Sequence, residues 1–403
     1  MIEALAQSHV QQWIQENSKQ DVNRLLLSGN KWGADFPFKA AVHQIEARQK
    51  ASKKLPYWYA NPAILFPPNL SVEQASSPLT AEYKAHILAS EGQPITHIAD
   101  LTGGMGIDSA ALSGKSQHHT YIEAQPLLAN LAKHNFKALN LSIEVINCEA
   151  EAYLNSLHQQ VDWFYIDPAR RDNKQRKIVS LNDCQPNVID LLPKLLNKSS
   201  NGVLVKASPM LDIKQACQEL QQKVNCIYVV ALKQEVKELL LLLKQEACSN
   251  PKITAAVLQE HKQTQEFSFT LTDEAQAEVI LDVPQHYLYE PHAALFKAGA
   301  FKQIAQYYNL AKLHAHSHLY TSQELKHNFI GRIFEVIYTG KGDKKAFAKM
   351  LPDGANVSVR NYPEKAEVIA KKYKLKPHSA HTLFATTLAN GQSVFIIGRQ
   401  LTV

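Results

Sequence analysis

The chain has 403 residues, with 43 Lys and Arg against 37 Asp and Glu, and 45% of its residues are apolar. At roughly 100–200 residues per domain this length predicts two to four domains, and the ordinary apolar content excludes a wholly disordered chain. No run approaches the ~18 consecutive apolar residues of a membrane-spanning helix, and the first residues lack the basic and apolar regions of a secretory signal. The formal net charge of +6 permits a nucleic-acid partner without requiring one.

Cysteine usage indicates a reducing compartment. The five cysteines are Cys148, Cys184, Cys217, Cys226 and Cys248. They form no Cys-x-x-Cys pair and no zinc-ligand spacing, and their number is odd. We therefore predict reduced thiols, a cytoplasmic location, no bound metal and no membrane partner.

Residues 1–93 are predicted to form an N-terminal helical segment. Apolar residues recur at helical spacing in 6–27 and 36–54, with Gln, Lys and Arg on the opposite faces. The following segment, 55–68, is rich in proline and aromatic residues, so we expect a loop rather than a regular helix. That loop either packs on the next domain or faces a substrate.

From His97 onward, apolar strands alternate with helices. Strands are predicted at 97–101, 120–123, 143–147, 161–166, 202–206, 226–232 and 253–257, and helices fall between most of them, notably at 126–139 and 188–196. This alternation predicts an α/β domain, assigned to 94–275, with a mostly parallel sheet covered on both faces.

Two shorter α+β units are predicted after residue 275. The first, 276–330, contains a helix at 293–308, and the second, 331–403, contains a helix at 364–373 and a final strand at 393–397.

The first strand of the α/β domain leads into a glycine-rich turn. Its notable residues are Asp100, Thr102, Gly103, Gly104 and Gly106. The glycines permit a tight turn and a close approach to a ligand at a helix start. The spacing also half-matches a dinucleotide fingerprint, so a nicotinamide-dependent oxidoreductase is an alternative. Asp100 favours a cationic ligand over a pyrophosphate, and Glu123, at the end of the second strand, can accept both hydroxyls of a ribose.

The fourth strand delivers Asp167 and Pro168 to its carboxyl end, where parallel sheets bind ligands. The carboxylate and the proline carbonyl are two acceptors close together. Such a pair can hold both hydrogens of an exocyclic amine and orient its lone pair for attack. The alternative is an ordinary Asp-Pro turn.

Several basic and histidine residues are further candidates. Five cations lie in residues 170–177; this is either a solvated loop or, through Arg170 and Arg171, a contact to phosphates at the mouth of the site. Lys206 ends the next strand and either lines the same cleft or simply terminates the strand. His314, His316 and His318 would share one face of a strand, and because no acid or cysteine accompanies them we expect a packed or solvated strand rather than a metal site.

These motifs resemble those of the class I S-adenosylmethionine-dependent methyltransferases. The glycine turn is similar to the cofactor loop of that class, Glu123 to its ribose-binding acid, and Glu149 to the acid that meets the adenine amine. Asp167-Pro168-Ala169-Arg170 resembles the Asp-Pro-Pro-aromatic motif of enzymes that methylate exocyclic amines of bases. Because Ala and Arg replace Pro and the aromatic, stacking on a base must come from elsewhere, such as Arg170 or the loop with Trp58 and Tyr59.

The resemblance to this class covers about residues 75–260 and implies a Rossmann-like sheet with S-adenosylmethionine as cofactor. Residues 73–84 and 289–301 further resemble a bacterial family that joins a core similar to RNA cap guanine-N2 methyltransferases to ferredoxin-like and THUMP-like domains. We therefore expect an N-methyltransferase acting on an exocyclic amine of a base in RNA, either tRNA or rRNA. A methyltransferase of DNA, protein or a small molecule is an alternative, as is a non-catalytic RNA-binding protein with the same fold.

Cations concentrate in the last unit, at 341–349 and 365–376, beside Arg360 and Tyr362. These are either solvated lysines or part of an RNA-binding surface. We expect residues from about 276 onward to bind RNA through phosphates and shape.

Overall fold

The structure is a computed structural model that describes residues 2–29, 31–33, 35–67, 72, 75–170, 180–260 and 262–402. The backbone divides into two compact units. The first comprises 1–227, 238–249 and 258–262, and the second comprises 228–237, 250–257 and 263–403. None of the helices in the described ranges is long and apolar enough to cross a membrane. No disulfide joins any of the five cysteines, all of which are described.

Helices occupy the N-terminal part of the first unit. They are α1 (Ile2–Leu5), α2 (Ser8–Glu16), α3 (Val22–Ser28), α4 (Phe38–Lys54), α5 (Pro56–Ala60) and α6 (Pro78–Ala89). The helices predicted in 6–27 and 36–54 are confirmed. The expectation that 55–68 contains no regular helix is wrong for five residues, because Pro56 stands at the first helical position, where its missing N–H costs nothing.

The segment after α4 packs onto the core instead of facing outward. Trp58, Ile64 and Phe66 are buried in one apolar cluster with Tyr121 and Phe136. Trp58 is therefore not free to stack on a base.

The strands and remaining helices of the first part of the chain follow in alternation. The strands are β1 (Ile95–Asp100), β2 (Ser116–Ile122), β3 (Glu144–Ile146), β4 (Val161–Ile166), β5 (Ala169–Arg170), β6 (Cys184–Gln185), β7 (Ser199–Ala207), β8 (Val224–Leu232) and β9 (Glu235–Leu243). The helices are α7 (Ile107–Ser113), α8 (Pro126–Ala138), α9 (Ala150–Ser156), α10 (Val188–Lys198) and α11 (Ile213–Glu219).

The sheet of the first unit runs in the order β9-β7-β4-β1-β2-β3. Its neighbours are parallel except for the antiparallel pair β7 and β9. Asp100 of β1 pairs with Tyr121 of β2 and with Tyr165 of β4, so the carboxyl ends of these three strands lie side by side. Polar residues that follow them are thereby brought to one edge of the sheet, as parallel α/β folds require.

The five predicted strands of this sheet are confirmed within four residues at each end, but β9 was not predicted. Its run of five leucines is completely buried, so it lacks the alternation of a half-buried strand.

The second unit contains further strands and helices. The strands are β10 (Lys252–Leu258), β11 (Gln265–Thr270), β12 (Tyr287–Pro291), β13 (Ala311–Lys312), β14 (Tyr320–Ser322), β15 (Gly331–Gly340), β16 (Asn356–Arg360), β17 (His381–Thr387) and β18 (Ser393–Gln400). The helices are α12 (Leu271–Gln276), α13 (Ala293–Ala298), α14 (Lys302–Tyr308), α15 (Lys344–Met350) and α16 (Ala366–Tyr373). Strands β10 and β11 pair antiparallel.

A seven-stranded sheet in the order β13-β14-β12-β15-β18-β17-β16 organises this unit. Phe347, Tyr373 and Phe395 belong to one apolar cluster, and Phe334 and Phe384 belong to another. The helix predicted at 293–308 is two helices, because Gly299 ends the first in the left-handed region at φ +81°.

The expectation that His314, His316 and His318 share a strand is wrong. They lie in the turn between β13 and β14, where His318 has φ +52° and stacks on the Phe301 ring with the ring centres 4.0 Å apart. Burial lowers the pKa of His318 to about 4. Across the described part of the chain, no group of three or more His, Cys, Asp or Glu side chains is arranged to hold a metal ion.

Candidate active site

The glycine turn after β1 is fitted closely against the sheet. Gly103 donates its N–H to the carbonyl of Ile122 at 2.9 Å, and a Cβ at Gly103 would lie 2.1 Å from the Tyr121 ring. Gly106 adopts φ +82°, and a Cβ there would lie 2.7 Å from the Phe136 ring. Both positions therefore require glycine for packing, and Gly106 requires it for its backbone conformation as well.

Asp100 is buried at the start of the turn. Its carboxyl group accepts hydrogen bonds from the Thr102 N–H at 3.0 Å and from the Ser109 hydroxyl at 2.6 Å. Burial raises the pKa of Asp100 to about 7, although both hydrogen bonds act in the opposite direction. Asp100 therefore titrates near neutral pH, where the charge of a ligand can change its protonation.

Glu123 follows β2 and faces the same turn. One carboxylate oxygen accepts the Gly104 N–H at 2.8 Å, and the other accepts the Gln125 N–H at 2.8 Å. Each oxygen retains a second lone pair, so the carboxylate is oriented but can still accept ligand hydroxyls. Glu149 is exposed at the start of α9, after β3, the next strand of the sheet.

Asp167 is joined to the glycine turn and to the neighbouring strand. Its N–H donates to the Thr102 hydroxyl at 2.6 Å, and its Oδ2 lies 2.5 Å from the Nζ of Lys206. Pro168 follows it and is half-buried. Arg170 belongs to β5, which pairs antiparallel with β6. Arg171 and residues 172–177 of the predicted basic run lie outside the described residues.

A buried ionic cluster beside these residues was not predicted from the sequence. The Nζ of Lys84, a completely buried side chain, lies 3.1 Å from Asp108 Oδ1 and 2.8 Å from Glu238 Oε1. Asp108 also accepts hydrogen bonds from the Tyr165 hydroxyl at 2.7 Å and the Ser76 hydroxyl at 2.8 Å. The sequence does contain one signal for such a cluster, a charged residue within an otherwise apolar element. Lys84 lies on the buried face of α6, and Glu238 directly precedes the leucine run of β9.

The charges of this region shift one another's pKa values. Burial acts against the ammonium form of Lys206, but Asp167, Asp108 and Glu238 outweigh it and raise the Lys206 pKa. Burial also acts to raise the pKa of Asp108, but Lys84 and Lys206 outweigh it, so that pKa is lowered. For Glu238, burial prevails and raises the pKa.

A glycine turn after the first strand, an acid after the second and an Asp-Pro pair after the fourth, all on one parallel sheet, define the class I S-adenosylmethionine-dependent methyltransferase fold. Within that class, the chain belongs to the family of a "putative methyltransferase" from Porphyromonas gingivalis W83. The crystal structure of that protein superposes with a TM-score of 0.87 and 33% sequence identity, covering 99% of this chain and 98% of that one. The α/β fold with its N-terminal helical segment and C-terminal α+β domains is thus confirmed, as is the resemblance.

Sequence families match the second unit separately. Residues 287–329 match a ferredoxin-like domain, and residues 331–400 match a THUMP domain-like family. The boundaries predicted at residues 93, 275 and 330 stay predictions.

Two curated relatives match part of the chain. Ribosomal RNA small subunit methyltransferase J from Coxiella burnetii is 27% identical over 134 residues, which are 29% of this chain and 52% of that protein. An "uncharacterized S-adenosylmethionine-dependent methyltransferase" from Mycobacterium tuberculosis is 28% identical over 145 residues, which are 36% of this chain and 37% of that protein. The chain therefore spans about half the length, or less, of the curated relatives it matches.

Proposed function

We propose that the chain transfers a methyl group from S-adenosylmethionine to an exocyclic amine of a base in RNA, either tRNA or rRNA. The observation that carries this proposal is the hydrogen bond from the Asp167 N–H to the Thr102 hydroxyl. It joins the turn that would hold the cofactor to the pair of acceptors that would hold the amine. The donor and acceptor of a methyl group must be aligned at contact distance, and this link fixes both elements together.

The residues present fit the cofactor. The glycine turn, with Thr102, Gly103, Gly104 and Gly106, would approach it closely, and Glu123 would accept the ribose hydroxyls. Asp100 would face its cationic half, and Glu149 its adenine amine. S-adenosylmethionine supplies a methyl group on a sulfonium, which already has a good leaving group.

The remaining task of the protein is to orient the nucleophile. Asp167 Oδ1 and the Pro168 carbonyl would each accept one hydrogen of the amine, which directs the nitrogen lone pair toward the methyl group. An aromatic amine becomes acidic only as the new bond forms, so no strong base is needed beforehand. Asp167 thus orients the amine and stabilises developing positive charge.

RNA as the substrate is supported by the basic surface of the second unit as well as by the family matches. The THUMP domain-like match and the name of the Coxiella relative point in the same direction. The exposed lysines of 341–376 are Lys341, Lys344, Lys345, Lys349, Lys365, Lys371, Lys372, Lys374 and Lys376. Arg170 and Arg171, which follow Asp167 and Pro168 closely in the sequence, would add phosphate contacts.

The test is to incubate the protein with tritium-labelled S-adenosylmethionine and separate RNA, DNA and protein fractions, followed by nucleoside mass spectrometry of the labelled RNA. We expect label in RNA, on an exocyclic amine. Label only in DNA or protein would contradict the RNA proposal, and label on a ring nitrogen or a ribose would contradict the amine. Calorimetric binding of NAD but not S-adenosylhomocysteine would favour the oxidoreductase alternative.

Two variants separate the assigned roles. Asp167→Asn should lower the transfer rate about a hundredfold to a thousandfold, to a residual rate that single-turnover labelling still measures, while S-adenosylhomocysteine affinity stays within about threefold, because Asp167 faces the amine. Glu123→Ala should weaken S-adenosylhomocysteine binding about tenfold to a hundredfold, from the loss of charge-assisted hydrogen bonds. Full transfer by Asp167→Asn, or unchanged affinity in folded Glu123→Ala, would contradict the respective role.

A further inference from the structure

Lys206 has an unusual position beside the proposed acceptor of the amine. Its Nζ lies 2.5 Å from Asp167 Oδ2, and its side chain is 15% exposed while that of Asp167 is 36% exposed. Among the described residues, none forms a hydrogen bond with Asp167 Oδ1. The lysine, the more buried of the two side chains, therefore occupies one oxygen of the carboxylate, and the other oxygen remains able to accept a ligand hydrogen.

Sheet register explains this pairing. Strands β4 and β7 are parallel, and Ile166 pairs with Val205, so Asp167 and Lys206 are the next residues of adjacent strands. An ion pair between the carboxyl ends of two neighbouring strands is anchored by the sheet on both sides. The carboxylate is thus held more rigidly than one on a loop would be.

The surroundings of Lys206 keep it charged and in place. Lys206 pairs with Leu240 of β9, and Glu238 lies two residues from Leu240 on the same strand. Glu238 and Asp108 both attract the Lys206 ammonium, and Lys84 bridges these two carboxylates. The buried cluster therefore surrounds Lys206 with negative charge from strand β9 and from the first turn of α7, in addition to Asp167.

We propose that Lys206 is a positioning residue that fixes Asp167 through Oδ2, so that Oδ1 and the Pro168 carbonyl face the amine. This inference rests on the proposed function. It assigns Lys206 to the orientation of Asp167 and not to direct contact with RNA. In the absence of Lys206, the Asp167 side chain would rotate and the two acceptors would lose their alignment.

The experiment compares Lys206→Met, Lys206→Arg, Asp167→Asn and the double variant Lys206→Met/Asp167→Asn under single-turnover conditions with labelled S-adenosylmethionine. The substrate is whichever of the total RNA, DNA and protein fractions the unaltered protein labels. The matched control is Lys244→Met, since Lys244 also pairs with a carboxylate, Glu91, at 2.6 Å. S-adenosylhomocysteine affinity, thermal unfolding and binding of the labelled fraction are measured for every variant.

We expect Lys206→Met to lower the transfer rate about a hundredfold, the loss typical of a misplaced catalytic group, with both affinities within about threefold. Lys206→Arg should retain at least about a tenth of the transfer rate of the unaltered protein, because it restores a cation beside Oδ2. In the Asp167→Asn background, Lys206→Met should cost less than about threefold, since the group it positions is already altered. Lys244→Met should leave the transfer rate unchanged.

Three results would overturn the inference. The first is an equal loss from Lys206→Met with and without the Asp167 carboxylate, and the second is a loss confined to binding of the substrate fraction. The third is a Lys206→Arg variant that folds and binds S-adenosylhomocysteine but is as inactive as Lys206→Met; this comparison decides the case if Lys206→Met fails to fold. Label only in DNA or protein contradicts the RNA proposal but still tests Lys206. Absence of label in every fraction contradicts both.

Discussion

In the first unit, four carboxyl groups and two lysines gather beside the glycine turn, whereas in the second unit one carboxylate is held between two arginines. The carboxylate-rich cluster consists of Asp100, Asp108, Asp167, Glu238, Lys84 and Lys206. The arginine-rich cluster consists of Glu290, Arg332 and Arg360. When all groups are ionised, the first carries an excess of negative charge and the second an excess of positive charge.

The arginine-rich cluster is built around a buried acid. Glu290 Oε2 accepts the Nε–H of Arg332 at 2.8 Å, and Oε1 accepts from Arg360 at 2.9 Å and from the Ser358 hydroxyl at 3.0 Å. The side chains of the two arginines are 34% and 37% exposed. Arg360 also lies over the Phe296 ring, 5.1 Å from its centre. Both guanidinium groups are therefore oriented from the buried side and keep donors for a partner.

The sign of the excess charge in each cluster matches the ligand proposed for that unit. An excess of carboxylates suits the cationic sulfonium proposed for the first unit, and an excess of guanidinium groups suits the phosphates proposed for the second. The two clusters also differ in exposure. Lys84 is completely buried, so its charge can be satisfied only by protein groups, whereas the two arginines are about one-third exposed and can reach external groups with their remaining donors.

Removal of Lys84 should have the largest effect. Lys84→Met leaves Asp108 and Glu238 buried without their shared cation, and breaking a buried ionic group in this way costs about 3–5 kcal/mol of unfolding free energy. Urea unfolding followed by circular dichroism measures it. Lys244→Met is the control, because its pair with Glu91 is partly exposed and should cost no more than about 1 kcal/mol. Equal losses for the two variants would contradict the importance of the buried cluster.

The residues at the carboxyl ends of the parallel strands were predictable from the sequence, but the buried cluster of Lys84, Asp108 and Glu238 was not. An apolar strand followed by glycines or by Asp-Pro identifies the ends of β1 and β4 from local pattern alone. Lys84 and Glu238, by contrast, are 154 residues apart in the sequence. No local pattern indicates which distant acid meets a buried lysine, since the pairing forms only when the fold brings Lys84 of α6 next to Glu238 of β9.

Errors in the second unit have a similar origin. Residues 293–308 have helical spacing throughout, but Gly299 ends the first helix and changes the direction of the chain. The alternating histidines at 314–318 have the period of a strand, but three residues of that segment form a turn. Short segments of this kind satisfy a periodic pattern by chance, and tertiary packing decides their conformation.

The second largest effect should be the pH dependence caused by Asp100. Its pKa of about 7 in the folded chain lies above the ordinary value of ~3.9 in the unfolded chain. The folded state therefore binds a proton that the unfolded state has lost, and this contribution to stability, complete below pH ~4, disappears as pH rises through 7. Between pH 5 and 8 the unaltered protein should lose about 2–3 kcal/mol of unfolding free energy from this group.

Asp100→Asn removes that titration, so unfolding free energies of both proteins at pH 5 and pH 8 provide the measurement. The unfolding free energy of the variant minus that of the unaltered protein should be about 2–3 kcal/mol larger at pH 8 than at pH 5. The other titrating groups contribute equally to both proteins and cancel in this difference. A constant difference across this range would mean that Asp100 titrates well below neutral pH, and would weaken the contrast between the two clusters.

The smallest effect should come from the arginine-rich cluster. If its outward donors contact phosphates, Arg332→Ala and Arg360→Ala should each weaken RNA binding about threefold to tenfold at low salt and reduce the slope of log K against log[salt] by about one. Filter binding with total tRNA and total rRNA as separate probes measures both quantities. S-adenosylhomocysteine affinity should stay unchanged, which separates lost RNA contacts from loss of the fold. Arg399→Ala is the matched control, because Arg399 shares Glu335 with no second arginine in the described residues and lies on the same seven-stranded sheet. The charge of Arg399 is balanced by that of Glu335, so this pair offers no excess positive charge to phosphates. RNA affinity should therefore change less than about twofold. Equal losses for Arg332, Arg360 and Arg399 would mean that RNA responds to the net charge of the unit and not to the cluster built on Glu290.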